Sequence, residues 1–176
     1  VGIPIHSSRT ISGNQPAIRR VGENASETFL KGVPVQLGTD GLVTEFDGSV
    51  AGGLAGFSLE PGSNLTTDAV AETLTFGSVQ NQSAAANIPR GAPLNDGRNG
   101  FEVANADTVF KGVLDAGTTT QALVGTLADL VKDGDNQWSI DVTSPAENVV
   151  RIVAIDDDAT NVVYFTVIEA ARQIEA

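Results

Sequence analysis

Apolar residues recur at every second position along much of the chain, and clusters of turn residues break the runs. Val33, Val35 and Leu37 alternate with Pro34 and Gln36; Leu42, Thr44 and Phe46 alternate with Val43 and Glu45. A period of two is what a strand buried on one face requires. Between these runs, Thr39-Asp40-Gly41 is turn chemistry, because Asp bonds its own backbone and Gly accepts φ > 0. Asp47-Gly48-Ser49 predicts a second turn. Gly52, Gly53 and Gly56 then cluster where a bulge or a close backbone approach is expected before a third strand. The stretch from Thr28 to Glu60 therefore reads as a folding unit that presents a surface, and nothing in it reads as catalytic.

The rest of the chain follows the same grammar. Residues 1 to about 20 read either as a first edge strand or as an extended arm that orders on a partner. Ile3 and Ile5 flank Pro4 there, and Ser12-Gly13-Asn14-Gln15-Pro16 forms a loop. Thr66–Glu72 fits one helical turn capped by Thr67 or Asp68, and Leu74 and Phe76 resume alternation. Residues 80–100, rich in Asn, Gly, Pro and Ala, read as a long connection. Phe101 to Leu114 returns to strand. Gln121–Lys132 has leucines at helical spacing, but Gly125 and the strand-rich context favour strand. Asp133–Asn136 is a turn, and Trp138, Ile140 and Val142 alternate after it. Val149–Ile155 is apolar except for Arg151, a pattern that predicts cover on both faces. Asp156–Asn161 is a hairpin loop, Val162–Ile168 is β-branched and aromatic, and Glu169–Ala176 is a short helix or a frayed end. The prediction is an all-β fold, a sandwich or barrel of about ten short strands with Gly-rich turns. An extended N-terminal arm over residues 1–20 would precede a single β domain over 21–176.

Composition narrows the function. The chain has 176 residues and a formal net charge of −12. Such acidity repels phosphate and anionic lipid, so neither nucleic acid nor a membrane surface is an expected partner. No apolar run approaches the roughly 20 residues of a bilayer span. The start, VGIPIHSSRT, lacks the features of a signal peptide. There is no Cys, which removes disulfides, thiolate metal sites and a Cys nucleophile.

Candidate chemistry is thin. The single histidine, His6, lies near the terminus, a poor place for a Ser-His-Asp arrangement. Motifs for a nucleophile elbow, a zinc protease or a phosphate loop are absent. A carboxylate-pair hydrolase needs no His, but 22 acidic residues always supply a pair, so composition carries no weight there. Asp156-Asp157-Asp158 and Asp133/Asp135 invite a Ca²⁺ reading, yet neither follows the EF-hand pattern and turn chemistry accounts for both. No cofactor is expected. Trp138 and Tyr164 lie in strong strand patterns and are expected in the core. Arg19-Arg20 reads as a contact to an acidic or phosphate partner, or as an exposed pair offsetting the acidic field.

Gly32-Val33-Pro34-Val35-Gln36, Gly38–Leu42, Phe46-Asp47-Gly48 and Ala55-Gly56-Phe57-Ser58 together resemble the head decoration, or cement, proteins of tailed bacteriophages. The resemblance continues through Pro89–Phe101, Asp107–Phe110, Ala128–Asp141 with Trp138, Val149–Val153 and Val163–Phe165, so it covers most of the chain from residue 28. It implies a β-rich, non-enzymatic protein on the outer surface of the virion capsid. It also implies a homotrimer that clamps the major capsid protein and resists the pressure of packaged DNA. On that reading the candidate contacts to capsid or to a neighbouring protomer are Ile3, Ile5, Arg9, Arg19 and Arg20 in the N-terminal stretch. Ile88, Arg90 and Leu94 in the long connection join them. The alternatives are an extracellular β-sandwich carbohydrate-binding or adhesin module, and a phage tail or baseplate component.

Overall fold

The computed structural model describes residues 4–65 and 97–174. The helical turn expected at 66–72, the alternation at Leu74 and Phe76, and most of the long connection lie outside these residues. Among the described residues the chain is a β-sandwich of eleven strands in two antiparallel sheets. In chain order the strands are β1 (His6–Thr10), β2 (Ile18–Gly22), β3 (Pro34–Leu37), β4 (Val43–Glu45), β5 (Gly56–Ser58) and β6 (Arg98–Val103). They continue with β7 (Thr108–Val113), β8 (Leu127–Lys132), β9 (Trp138–Asp141), β10 (Val150–Ile155) and β11 (Val162–Val167). One sheet runs β1-β7-β11-β10-β8-β9 and the other β2-β6-β5-β3-β4.

Each sheet curls so that strands far apart in its order come back into contact. Single parallel bridges join Glu23 to Val43 in one sheet and Leu114 to Ile140 in the other. Between the sheets, the core is aromatic at its centre. Phe57 on β5 lies 4.5 Å from Phe110 on β7 and 5.9 Å from Phe165 on β11, centroid to centroid. All three rings are fully buried. Tilted and edge-on ring pairs at these distances add attraction beyond the area they bury. A second junction is polar and apolar at once. Phe46 packs 5.9 Å from Trp138, and the Trp138 Nε1–H donates to Glu45 Oε1 at 2.8 Å. Lys132 Nζ pairs with Glu45 Oε2, also at 2.8 Å, so one carboxylate on β4 ties both β8 and β9 of the opposite sheet.

Side chains also close the loops. Asp129 on β8 accepts the backbone N–H groups of Ala146, Glu147 and Asn148, which fixes the connection into β10. Gln173 lies beyond β11, and its amide donates to and accepts from the Leu37 backbone at 2.6 Å each way. The tail expected to be a short helix or frayed is thus a single 3-10 turn, Glu169–Ala171, followed by residues laced to the second sheet. Gly56 makes the closest approach: a Cβ there would fall 2.0 Å from the Glu102 carbonyl oxygen on β6.

Four expectations change in detail. Arg98, Asn99 and Gly100 belong to β6 and not to the long connection, because pairing with β2 overrides their loop-like composition. The run Phe101–Leu114 is two strands, broken where Asn105 Oδ1 accepts the N–H groups of Asp107 and Thr108. Gln121–Lys132 opens as a 3-10 turn over Gln121–Leu123 before β8 begins. Val149–Ile155 is not covered on both faces. Val150 and Ile152 are buried, Arg151 is exposed, and Val153–Ile155 are half-buried, because β10 meets the core on one side only and bulges between Ile152 and Ala154.

Replacing Phe110 by Ala leaves a cavity at the centre of the sandwich and costs roughly 3–5 kcal/mol in chemical denaturation. Replacing Gly56 by Ala drives a methyl group into the β6 backbone. It destabilises by more than the roughly 1–3 kcal/mol of ordinary overpacking, because backbone cannot yield as a side chain does.

Candidate functional site

The N-terminal stretch brings the edges of both sheets together. β1 pairs antiparallel with β7 at the edge of one sheet, and β2 pairs with β6 at the edge of the other. The loop 11–17 carries the chain between them. It is anchored by Ile11 N–H to the Asp107 carbonyl at 2.8 Å, and by Ser12 N–H and Oγ to the Asp107 carboxylate at 2.7 and 2.5 Å. Thr10 Oγ1 donates to the Asn14 carbonyl across the same loop. Glu102 on β6 accepts from Ser7 N–H at 2.6 Å and Ser7 Oγ at 2.5 Å, and so joins β1 to the opposite sheet.

This stretch exposes both apolar and basic groups. Ile11 is 70% exposed and Ile18 is 59% exposed, the two most exposed of the large apolar side chains among the described residues. Arg9 on β1 and Arg19 on β2 are exposed too. Arg20 is exposed and pairs with Glu60 at 3.1 Å. On a chain of net charge −12, three arginines and two exposed isoleucines within residues 9–20 depart from the acidic average.

The candidate contact residues separate into three groups. Arg9 lies on β1, and Arg19 and Arg20 lie on β2, each strand at the edge of its own sheet. Ile5 does not join them: it is fully within the core, and its N–H donates to the Gly32 carbonyl at 3.2 Å. Gly32 has φ +81°, and a Cβ there would fall 2.5 Å from the Pro4 side chain, so glycine is what admits the N-terminal segment to this seat. Ile3, Ile88, Arg90 and Leu94 lie outside the described residues. Ile11 and Ile18 were not among the expected contacts. Their signal was present, since each is a lone large apolar residue beside polar neighbours, but alternation alone does not say which face of an edge strand meets water.

A second polar locus lies at the β10–β11 hairpin. A cleft of about 210 Å³ is lined by Thr118, Thr119, Asp156, Asp157 and Thr160. Asp156 Oδ2 pairs with Lys111 Nζ at 3.0 Å and accepts from the Tyr164 hydroxyl at 3.2 Å, while Oδ1 accepts the Asp158 N–H. The Lys111 ammonium holds the Asp156 carboxyl below the ordinary range, and Asp156 in turn raises Lys111. Tyr164 is therefore half-buried on the outer face beneath Lys111, not in the core as its strand pattern suggested. Trp138 is in the core, at 7% exposure. Asp133 caps its own turn through the N–H groups of Asp135 and Gln137. Among the described residues, no three His, Asp or Glu side chains gather in a metal-holding group. His6 is exposed and donates through Nδ1 to the Pro4 carbonyl.

No family model, curated protein or solved structure matches this chain.

Because Ile11 and Ile18 point into solvent, replacing both with Ser shifts folding stability by no more than about 0.5 kcal/mol per site. Thermal or chemical unfolding of the double variant checks this, and a larger loss would mean that the isoleucines pack in the folded chain.

Proposed function

We propose that this chain is a non-enzymatic structural protein that decorates the outer surface of a phage capsid, binds the major capsid protein and stiffens the shell as a homotrimer. The observation that carries the reading is the exposure of Arg9, Ile11, Ile18 and Arg19 within the N-terminal stretch of an otherwise acidic chain. Exposed apolar side chains favour a protein partner, and the basic residues favour an acidic one. The resemblance of residues 28 onward to cement proteins supports the same reading. The attachment is multivalent: each weak contact raises the effective concentration of the next, so a modest loss per protomer multiplies over an oligomer.

The sugar-binding alternative draws less support. Its flat aromatic platforms would be Trp138 and Tyr164. Trp138 is buried with its N–H committed to Glu45, and Tyr164 lies under Lys111.

Electron microscopy of the purified protein with expanded, undecorated phage heads tests the proposal, beside a mass measurement of the protein alone. Regular added density on the shell and a trimeric mass are the expected result. Arg9→Glu combined with Arg19→Glu should lower shell affinity about tenfold or more while leaving the unfolding transition in place. Point substitutions are the clean test here, because removing residues 1–20 would strip Ile5 from the core. A folded monomer that ignores every shell maturation state, or a charge-reversed variant that coats shells as tightly as the parent, would overturn the reading.

A further inference from the structure

Glu23 follows β2 and is fully buried. Its own N–H donates to the Gly97 carbonyl at 2.8 Å, and the next N–H, of Asn24, donates to the Val43 carbonyl at 3.0 Å. The backbone is therefore pinned between β6 and β4. The carboxyl group meets neutral partners: Oε1 accepts the Ser63 N–H at 2.6 Å and Oε2 accepts from Asn99 Nδ2 at 3.4 Å. Asn99 is itself fully buried, and the same amide nitrogen reaches the carbonyls of Glu60 and Pro61 at 3.3 Å each. One buried carboxyl and one buried amide thus hold the segment Glu60–Leu65 against β2 and β6.

The charged groups around this locus do not neutralise Glu23. Arg20 on β2 pairs with Glu60, and its guanidinium also donates to the carbonyl of Arg98 at the start of β6. Glu27, in the loop after β2, adds like charge, and its own carboxylate is taken by Thr44 and by the Glu45 N–H on β4. Among the described residues no cation forms an ion pair with Glu23. An ionised carboxylate buried without a cation is costly even when hydrogen-bonded. Burial accordingly pushes the Glu23 carboxyl above the ordinary range, against the opposing pull of Ser63 and Asn99 and with a small further push from Glu27.

We propose that Glu23 is a proton-controlled clasp: neutral, it holds the Glu60–Leu65 segment closed over the end of the second sheet, and ionised, it loosens that segment. The route of relief follows from what covers the carboxyl. Strands β2, β6 and β4 pin one side, and exposing Glu23 through them would break strand pairing. The other side is an irregular segment held by a few loop bonds, Gly62 N–H to Phe29, Asn64 N–H to Glu27 and Ser26 N–H to Leu65. Local opening takes the cheaper path. A raised carboxyl favours closure fully below the ordinary Glu value. Closure then weakens as pH rises, by up to about tenfold per pH unit, and levels off above the raised value. The clasp is independent of what the protein binds.

Amide hydrogen exchange of the intact chain tests this from about pH 4 to about pH 8, with rates corrected for intrinsic chemistry. Protection of peptides covering 60–65 should fall by up to about tenfold per pH unit through the titration, while peptides from β10 and β11 hold theirs. Glu23→Gln keeps a carbonyl for Ser63 but carries no titratable proton, so its protection should stay flat. Flat protection in the parent chain, or a parallel fall in the Gln variant, would overturn the clasp. Carbon NMR titration of the Glu23 carboxyl in the unaltered chain is a second test that needs no variant. A midpoint above the ordinary Glu value is expected, and one at that value also overturns the clasp.

Discussion

The contact of Phe57 with Phe110 and Phe165 is the constraint on which the two-sheet arrangement rests. The chain is only 5% aromatic, so few rings are available to span the roughly 10 Å between sheets, a distance Val and Ala span poorly. The three rings come from three strands in two sheets, β5 on one side and β7 and β11 on the other. Their positions bring further requirements. Phe57 reaches the centre only because β5 lies tight against β6, and β5 lies tight only because residue 56 has no Cβ. Pairing of β6 with β2 then sets where the N-terminal strands run, and with them the exposed arginines and isoleucines.

Several of the acidic residues hold the structure together. Asp129 gathers three backbone N–H groups, Glu45 ties the sheets through Trp138 and Lys132, and Glu102 and Asp107 anchor β1 and the loop after it. A carboxylate that accepts several N–H groups satisfies loop backbone that neither sheet can pair. Glu102 has a second effect. By taking Ser7 N–H it blunts the edge of β1, as does the bulge between Ser7 and Arg9, so that strand offers side chains to a partner more readily than main chain. Glu23 differs from these acids: it is fully buried against neutral partners, and burial pushes its carboxyl upward.

Much of the architecture is legible in the sequence. Alternation at 33–37, 42–46 and 138–142 marked β3, β4 and β9, the β-branched and aromatic run 162–168 marked β11, and Asp-Gly and Asp-rich turns marked the breaks. Glycine clustering predicted a close backbone approach that Gly56 makes. These signals are local, because strand period and turn chemistry depend on a residue and its near neighbours. The β-rich class, the turns and the acidic character were thus determined by the sequence alone. Which strands are neighbours was decided only by the tertiary structure. Alternation reports faces and not partners, so Arg98–Gly100 read as loop until β2 paired with them, and Tyr164 read as core until Lys111 and Asp156 took its outer face. The same limit governs the N-terminal stretch. Ile5 and Ile11 are alike in composition and setting, yet one enters the core beside Gly32 and the other stands in solvent. The choice between them depends on residues far along the chain, and a contact of that kind has no local signature.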